Sequence, residues 1–190
     1  MDYVGYGILG LLGIVGFVLY RLYSSHNILM ALDERCKTAF SDIDSLLKHR
    51  HSLIPGLLET LKGYVGHEMG VLDKVSQAQS DALNAANKEE KIHAEVLLSQ
   101  SLNSVLSIAE NYDQLKASSH FQHFRTDLLE VENRITASRR FYNLTVAELN
   151  SNIRQFPGSM VASKSGLEIR KAYELGAERM IMDEPVSIKF

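Results

Sequence analysis

Between Tyr3 and Tyr20 the chain runs without a single charge, YVGYGILGLLGIVGFVLY, and most of that run is Gly, Leu, Ile and Val. As a helix it would cover roughly 27 Å, close to the hydrocarbon thickness of a bilayer. Tyr3 and Tyr6 mark one end, and Tyr20 and Tyr23 the other, where amphipathic rings favour the headgroup level. A helix that is apolar all round has no solvent face to offer, so residues 1–23 are expected to anchor the chain in a lipid bilayer. A cleaved leader needs a basic opening and a small-residue exit. Met1-Asp2 and YRLYSSHN supply neither, so an uncleaved single-pass anchor is expected. Arg21, Arg35 and Lys37 follow the span, whereas only Asp2 and the amino terminus precede it. The positive-inside bias then predicts a short N-terminus outside and the bulk of the chain in the cytoplasm. Gly7, Gly10, Gly13 and Gly16 recur every third residue. They have two readings: a face for homo-oligomers, or the ordinary glycine enrichment of membrane helices without a strict G-x-x-x-G pair.

Beyond residue 27 the apolar period is three or four, never two, which predicts an all-α protein. Leu29, Leu32, Cys36, Ala39, Phe40, Ile43 and Leu47 form the first stripe. Pro55 lacks the N–H that a helix interior needs, so a stop near His51 or a kink is expected there. A second stripe continues through Leu57, Leu58, Leu61, Val65, Leu72, Val75 and Ala82. Its glycines, Gly63, Gly66 and Gly70, suggest close contact with a neighbouring helix. Asn87 with Glu90 is a capping-box-like start for a third stripe, Leu98, Leu102, Val105, Ala109 and Tyr112. Ser119 with Gln122 is a second such start, opening a long stripe from Phe121 to Phe156, roughly 54 Å of helix. The FPGS sequence at Phe156–Ser159 ends it.

Short polar joints favour antiparallel neighbours, so the expected architecture is an up-and-down four-helix bundle behind the anchor. A turn at Pro55 gives four helices and returns Phe156 to the membrane-proximal end; a mere kink there gives three. The expected organisation is anchor 1–23, bundle 24–158 and a weakly ordered tail 159–190. The tail ends with alternating Val186, Ile188 and Phe190, which would either lie on the bundle or serve as a docking peptide.

Net charge is −3 with both signs interspersed, so no basic stripe awaits a nucleic-acid backbone. One cysteine, Cys36, excludes an intramolecular disulfide and a cysteine-based zinc site, and its place on an apolar stripe reads as inert. His49 and His51 lie about 200° apart on a helix and cannot grip one ion together. His120 and His123 share a face but need a third ligand from elsewhere, which leaves a metal- or ligand-binding bundle as the alternative reading. Asp42 and Asp44 lack calcium-loop spacing. No nucleophile elbow, phosphate loop or H-E-x-x-H occurs, and the Asn143 sequon lies mid-helix. No catalytic, cofactor-binding or metal-binding residue is therefore assigned, and no cofactor is expected.

Arg50 falls where the first stripe wants an apolar residue, and Glu132, Asn133, Arg139, Arg140 and Asn143 crowd the last helix. Either these groups pair between helices and fix their register, or they form a solvated face with pairs four residues apart. Spacing alone leaves both open.

AFSDIDSLLKHRHSLIPGLLETLKGYVGHE, and the segment from ENYDQLKASSHFQHF through ENRITASRRFYN to FPGSMVA, resemble the LemA family of bacterial membrane-anchored proteins. The likeness extends from the anchor to about Ala162. Phe40 stands where the family commonly has tryptophan, Gly56 where it often has asparagine, and Asp113 departs from a usual YPDLKA. The resemblance implies a protein of the bacterial inner membrane with a helical-bundle domain. The combined expectation is a non-enzymatic scaffold or adaptor at the cytoplasmic face, with the bilayer and an unidentified membrane-associated protein as partners.

Overall fold

A computed structural model of the chain describes residues 3–64 and 69–173, and among these every regular element is helical. The elements are α1 (Tyr3–Lys62), α2 (Met69–Asn84), α3 (Lys88–Ala109), the single turn α4 (Asp113–Lys116), α5 (Ser119–Arg154) and α6 (Gly158–Ser165). Val186, Ile188 and Phe190 of the alternating tail end, and Val65 and Gly66 of the second stripe, lie outside the described residues. The chain divides into two units. One joins Met1–Asp42 with Ser138–Ala172, and the other joins Ile43–Ala137 with Tyr173–Phe190.

The second unit holds the bundle. The later length of α1, α2, α3 and the early length of α5 enclose one core that includes Ile54, Leu57, Leu61, Val75, Leu98, Leu115 and Phe121. Their directions follow from which residues meet. Asp44 reaches Lys91 and Arg50 reaches Glu95, so α1 and α3 run the same way. Ser99 meets Glu132 and Glu110 meets Arg125, so α3 and α5 run oppositely. Four alternating lengths result, as the stripes require.

The helix boundary is not where Pro55 suggested. α1 passes through Pro55 and ends at Lys62, closing on a turn in which Tyr64 N donates to Leu61 O at 2.9 Å. A proline at 55 cannot donate to the carbonyl of residue 51. Gln79 Nε2 from α2 supplies that missing donor, reaching His51 O at 3.1 Å. A side chain 28 residues away thus satisfies the group that would otherwise favour a break. The count of four survives because the turn falls after Lys62 instead. Residues 57–62 therefore belong to α1 and not to a second helix.

The glycines behave differently from expectation as well. A Cβ at Gly63 would meet only its own helix's Thr60 O at 3.9 Å, and one at Gly70 nothing within 4 Å, so neither marks close helix contact. Gly56 does: a Cβ there would sit 2.5 Å from Phe124 Cζ, so the ring of α5 occupies the room that asparagine would need.

Of the two expected helix starts, one holds and one shifts. Asn87 caps α3 by accepting from Glu90 N at 2.9 Å, while Glu90 Oε2 accepts from Ala86 N at 3.1 Å, closing the reciprocal box one residue early. At α5 the acceptor is Ser118 and not Ser119: its Oγ receives Phe121 N at 3.4 Å, and Gln122 turns back to Lys116 O.

In the first unit the early length of α1 packs antiparallel to the later length of α5. Phe40 tilts against Tyr142 at 5.7 Å between ring centres, and Arg35 faces Glu148. Cys36 is fully buried here and burial raises its thiol pKa, which makes it the inert residue expected. α5 ends at Arg154, and the chain turns at Phe156–Pro157 into α6, with Gly158 beside Ser25. Phe156 is thus returned to the end of α1 that adjoins the apolar run. After α6 the stretch that follows is tied down. Asn150 exchanges two hydrogen bonds with the Arg170 backbone at 2.8 and 2.9 Å, and Arg170 Nη2 meets Asp33 Oδ1 at 2.7 Å. Lys37 takes the other Asp33 oxygen at 2.9 Å. Burial works to raise the Asp33 pKa, yet these two cations together hold its carboxyl below the usual carboxylate range.

Candidate functional site

The most unusual chemistry among the described residues lies inside the bundle. Arg50 occupies a core position of α1, between Leu47 and Ile54, and its side chain is completely buried. A buried guanidinium must be paired and hydrogen-bonded, or it costs several kcal/mol. Its Nη2 donates to Glu95 Oε2 in a very short contact and to Glu95 O at 3.2 Å. Its Nη1 donates to Glu132 Oε2 at 2.7 Å and to Ser99 Oγ. Three helices, α1, α3 and α5, are thereby joined through one planar fork.

Glu95 is as buried as Arg50. Its second oxygen, Oε1, faces His51 Nε2 at 3.0 Å. An ionised carboxylate only accepts, so Nε2 carries the proton and donates. Burial is the largest single influence on Glu95 and pushes its pKa up. The hydrogen bond from His51 and the charge of Arg50 outweigh it, and the carboxyl ends below its ordinary value of 4.5. Ser99 Oγ donates to Glu132 Oε1 at 2.9 Å, so the hydroxyl and the imidazole are engaged with different carboxylates. The arrangement is that of a charged joint between helices.

That joint makes a pH prediction. Because the folded pKa of Glu95 lies below the unfolded one, its contribution is complete above about pH 4.5 and fades as pH falls through the folded value. Unfolding midpoints measured from pH 7 down to pH 3 should fall most steeply below about 4.5. Glu95→Gln should start less stable at pH 7 and show a shallower slope across that window. An unchanged slope would mean that other carboxylates govern the acid limb.

The polar residues singled out by spacing divide between the two readings. Arg50 and Glu132 meet across helices. Arg139 is buried in the other unit, Asn143 is half-buried there, and Asn133 and Arg140 are solvent-exposed. Of the histidines, His49, His120 and His123 are exposed, and His123 Nε2 lies 3.4 Å from Asp127 of its own helix. Among the described residues no group of three or more His, Cys, Asp or Glu is gathered as a metal would require. Asp42 is exposed, while Asp44 bridges Lys91 at 2.7 Å and Lys48 at 3.0 Å, and those two bonds hold its pKa low. Glu95, Ser99 and the Asp33–Arg170 pair were not anticipated. Glu95 had a signal: extending the α3 stripe of Leu98, Leu102, Val105 and Ala109 one step back lands on it.

The apolar run forms the first turns of α1. An 18-residue window there has mean hydropathy 1.6 and none of it is buried, which suits membrane attachment and not a soluble core. A Cβ added at Gly7, Gly10, Gly13 or Gly16 would meet nothing within 4 Å.

Comparison with known proteins adds two matches. The family model described as LemA family covers residues 39–190. A protein of Metamycoplasma hominis named "Protein LemA" is 28% identical over 142 residues, 74% of this chain and 65% of that relative's length. The chain thus spans somewhat under two thirds of the curated relative it matches. The family match begins after the anchor and continues past Ala162, so it shares residues 39–162 with the extent expected from the motifs and differs at both ends.

Proposed function

We propose, because the chain belongs to the LemA family and carries an exposed apolar helix, that it is a single-pass membrane protein working as a non-enzymatic scaffold at the cytoplasmic face. The observation that carries this reading is the unburied 18-residue window, which passes without a break into the α1 length of the first unit. Arg21, Arg35 and Lys37 behind the window support the cytoplasmic side of the bacterial inner membrane. Arg50 and Glu95 are spent on one another, so binding would use the outer surface of the helices. Confinement beside a bilayer raises the effective concentration of membrane neighbours, which is what a weak scaffold needs.

The test compares proteins recovered with the full-length chain and with a chain lacking residues 1–23. Partners should be lost at least about tenfold from the truncated chain, the scale that tethering supplies. Equal recovery from both would show that the anchor does not organise the interaction.

A further inference from the structure

We propose that the α5–α6 corner is a second contact with lipid, seated in the headgroup layer of the leaflet that the anchor enters. The inference rests on the anchor reading above and adds to it where the first unit touches the bilayer. Phe156 is 76% exposed and Met160 51%. Ile28 and Tyr23 of α1, at 48% and 68%, extend the same exposed apolar character toward the span.

Geometry sets the depth. A Cβ at Gly158 would lie 3.6 Å from Ser25 Oγ, and Arg21, Ser25, Phe156 and Gly158 wall one cavity of about 130 Å³. The corner is therefore level with residues 21–28, and Arg21 to Ser25 lie roughly 2–8 Å past Tyr20 along a helix. The headgroup layer on each side of the hydrocarbon is about 5–8 Å deep. Side chains at that level meet headgroups and the first methylenes, where Phe and Met gain and charges stay wet.

Charge agrees with the depth. Neither residues 3–32 nor residues 149–167 contain an Asp or Glu, while they carry Arg21, Arg154 and Lys164. A surface with cations, no carboxylates and a few exposed apolar side chains matches an anionic lipid interface. The nearest acid on α5, Glu148, faces Arg35.

The chain has no tryptophan, so one substitution creates a single reporter. Full-length Phe156→Trp, Phe141→Trp and Phe17→Trp are reconstituted in phosphatidylcholine–phosphatidylglycerol vesicles whose acyl chains carry bromine near the headgroup or near the terminal methyl. Phe141 is 51% exposed on α5 of the same unit, about 20 Å before the helix end that leads into Phe156, and serves as the solvent-side control. Headgroup-proximal bromine should quench Phe156→Trp about threefold more than Phe141→Trp, as an interfacial depth requires. Acyl-chain bromine, most of all the bromine near the headgroup, should quench Phe17→Trp, which lies about 4–5 Å inside Tyr20 along the helix. If Phe17→Trp is quenched and Phe156→Trp is not distinguished from Phe141→Trp, the corner proposal falls and the anchor stands. Should Phe17→Trp escape quenching as well, the anchor reading fails and takes this one with it. A blue-shifted but unquenched Phe156→Trp would mean that protein covers the corner, which also overturns the proposal.

Discussion

Arg50→Met lowers the unfolding free energy by about 3–5 kcal/mol, the scale observed when one member of a buried ion pair is removed. Methionine fits the shape of the arginine stem but leaves Glu95, with no exposed surface, facing only His51. Glu132 suffers less, since its side chain is 31% exposed and can regain water. The loss therefore resides in Glu95. Arg50→Met combined with Glu95→Leu should recover most of it, because the second change removes the stranded charge and refills the space with apolar volume. Thermal and denaturant unfolding of the full chain in detergent, followed by circular dichroism, measures both variants. A single variant within about 1 kcal/mol of the native chain would show that the joint carries little. A double variant that is stable but broadens its transition would assign the joint to register and not to stability.

Gly158→Ala is the second large effect, expected at about 1–3 kcal/mol. An alanine Cβ would collide with Asn152 O and lie 3.1 Å from Asn152 C, both backbone atoms that no rotamer change can move. The corner between α5 and α6 must open. Hydrogen exchange should rise in α6, residues 158–165, more than in residues 43–62 of the bundle. The same change should reduce bromine quenching at Phe156→Trp, because the corner is what sets that side chain's position. Uniform exchange across the chain would mean that the close approach at Gly158 is relieved elsewhere.

Most of the stripe positions that spacing revealed are buried in the cores of the two units, Phe156 being an exposed exception. Leu29, Leu32, Cys36 and Ala39 are buried in one, and Leu98, Leu102, Val105 and Ala109 in the other. Periodicity reports burial because a helix must turn its apolar face inward, and that holds whichever partner covers it. Arg50 was visible as a charge at an apolar position, and Glu95 would have been visible by the same rule. What spacing could not do was pair them. Forty-five residues separate the two in the chain, and the match depends on which helices become neighbours.

Sequence by itself determined that this chain is helical, that its first turns are apolar enough to enter a membrane, and which positions face inward. These are local properties, decided by rise per residue, side-chain periodicity and the absence of charge. Tertiary structure decided where α1 ends and which polar groups are shared. Pro55 forfeits one donor in every fold, but only the arrival of Gln79 at His51 O lets the helix continue past it. Arg50 needs carboxylates in every fold, but only α3 and α5 together place two of them on one guanidinium. A hydrogen bond between distant residues has no local signature, because its free energy is realised only after the helices have met.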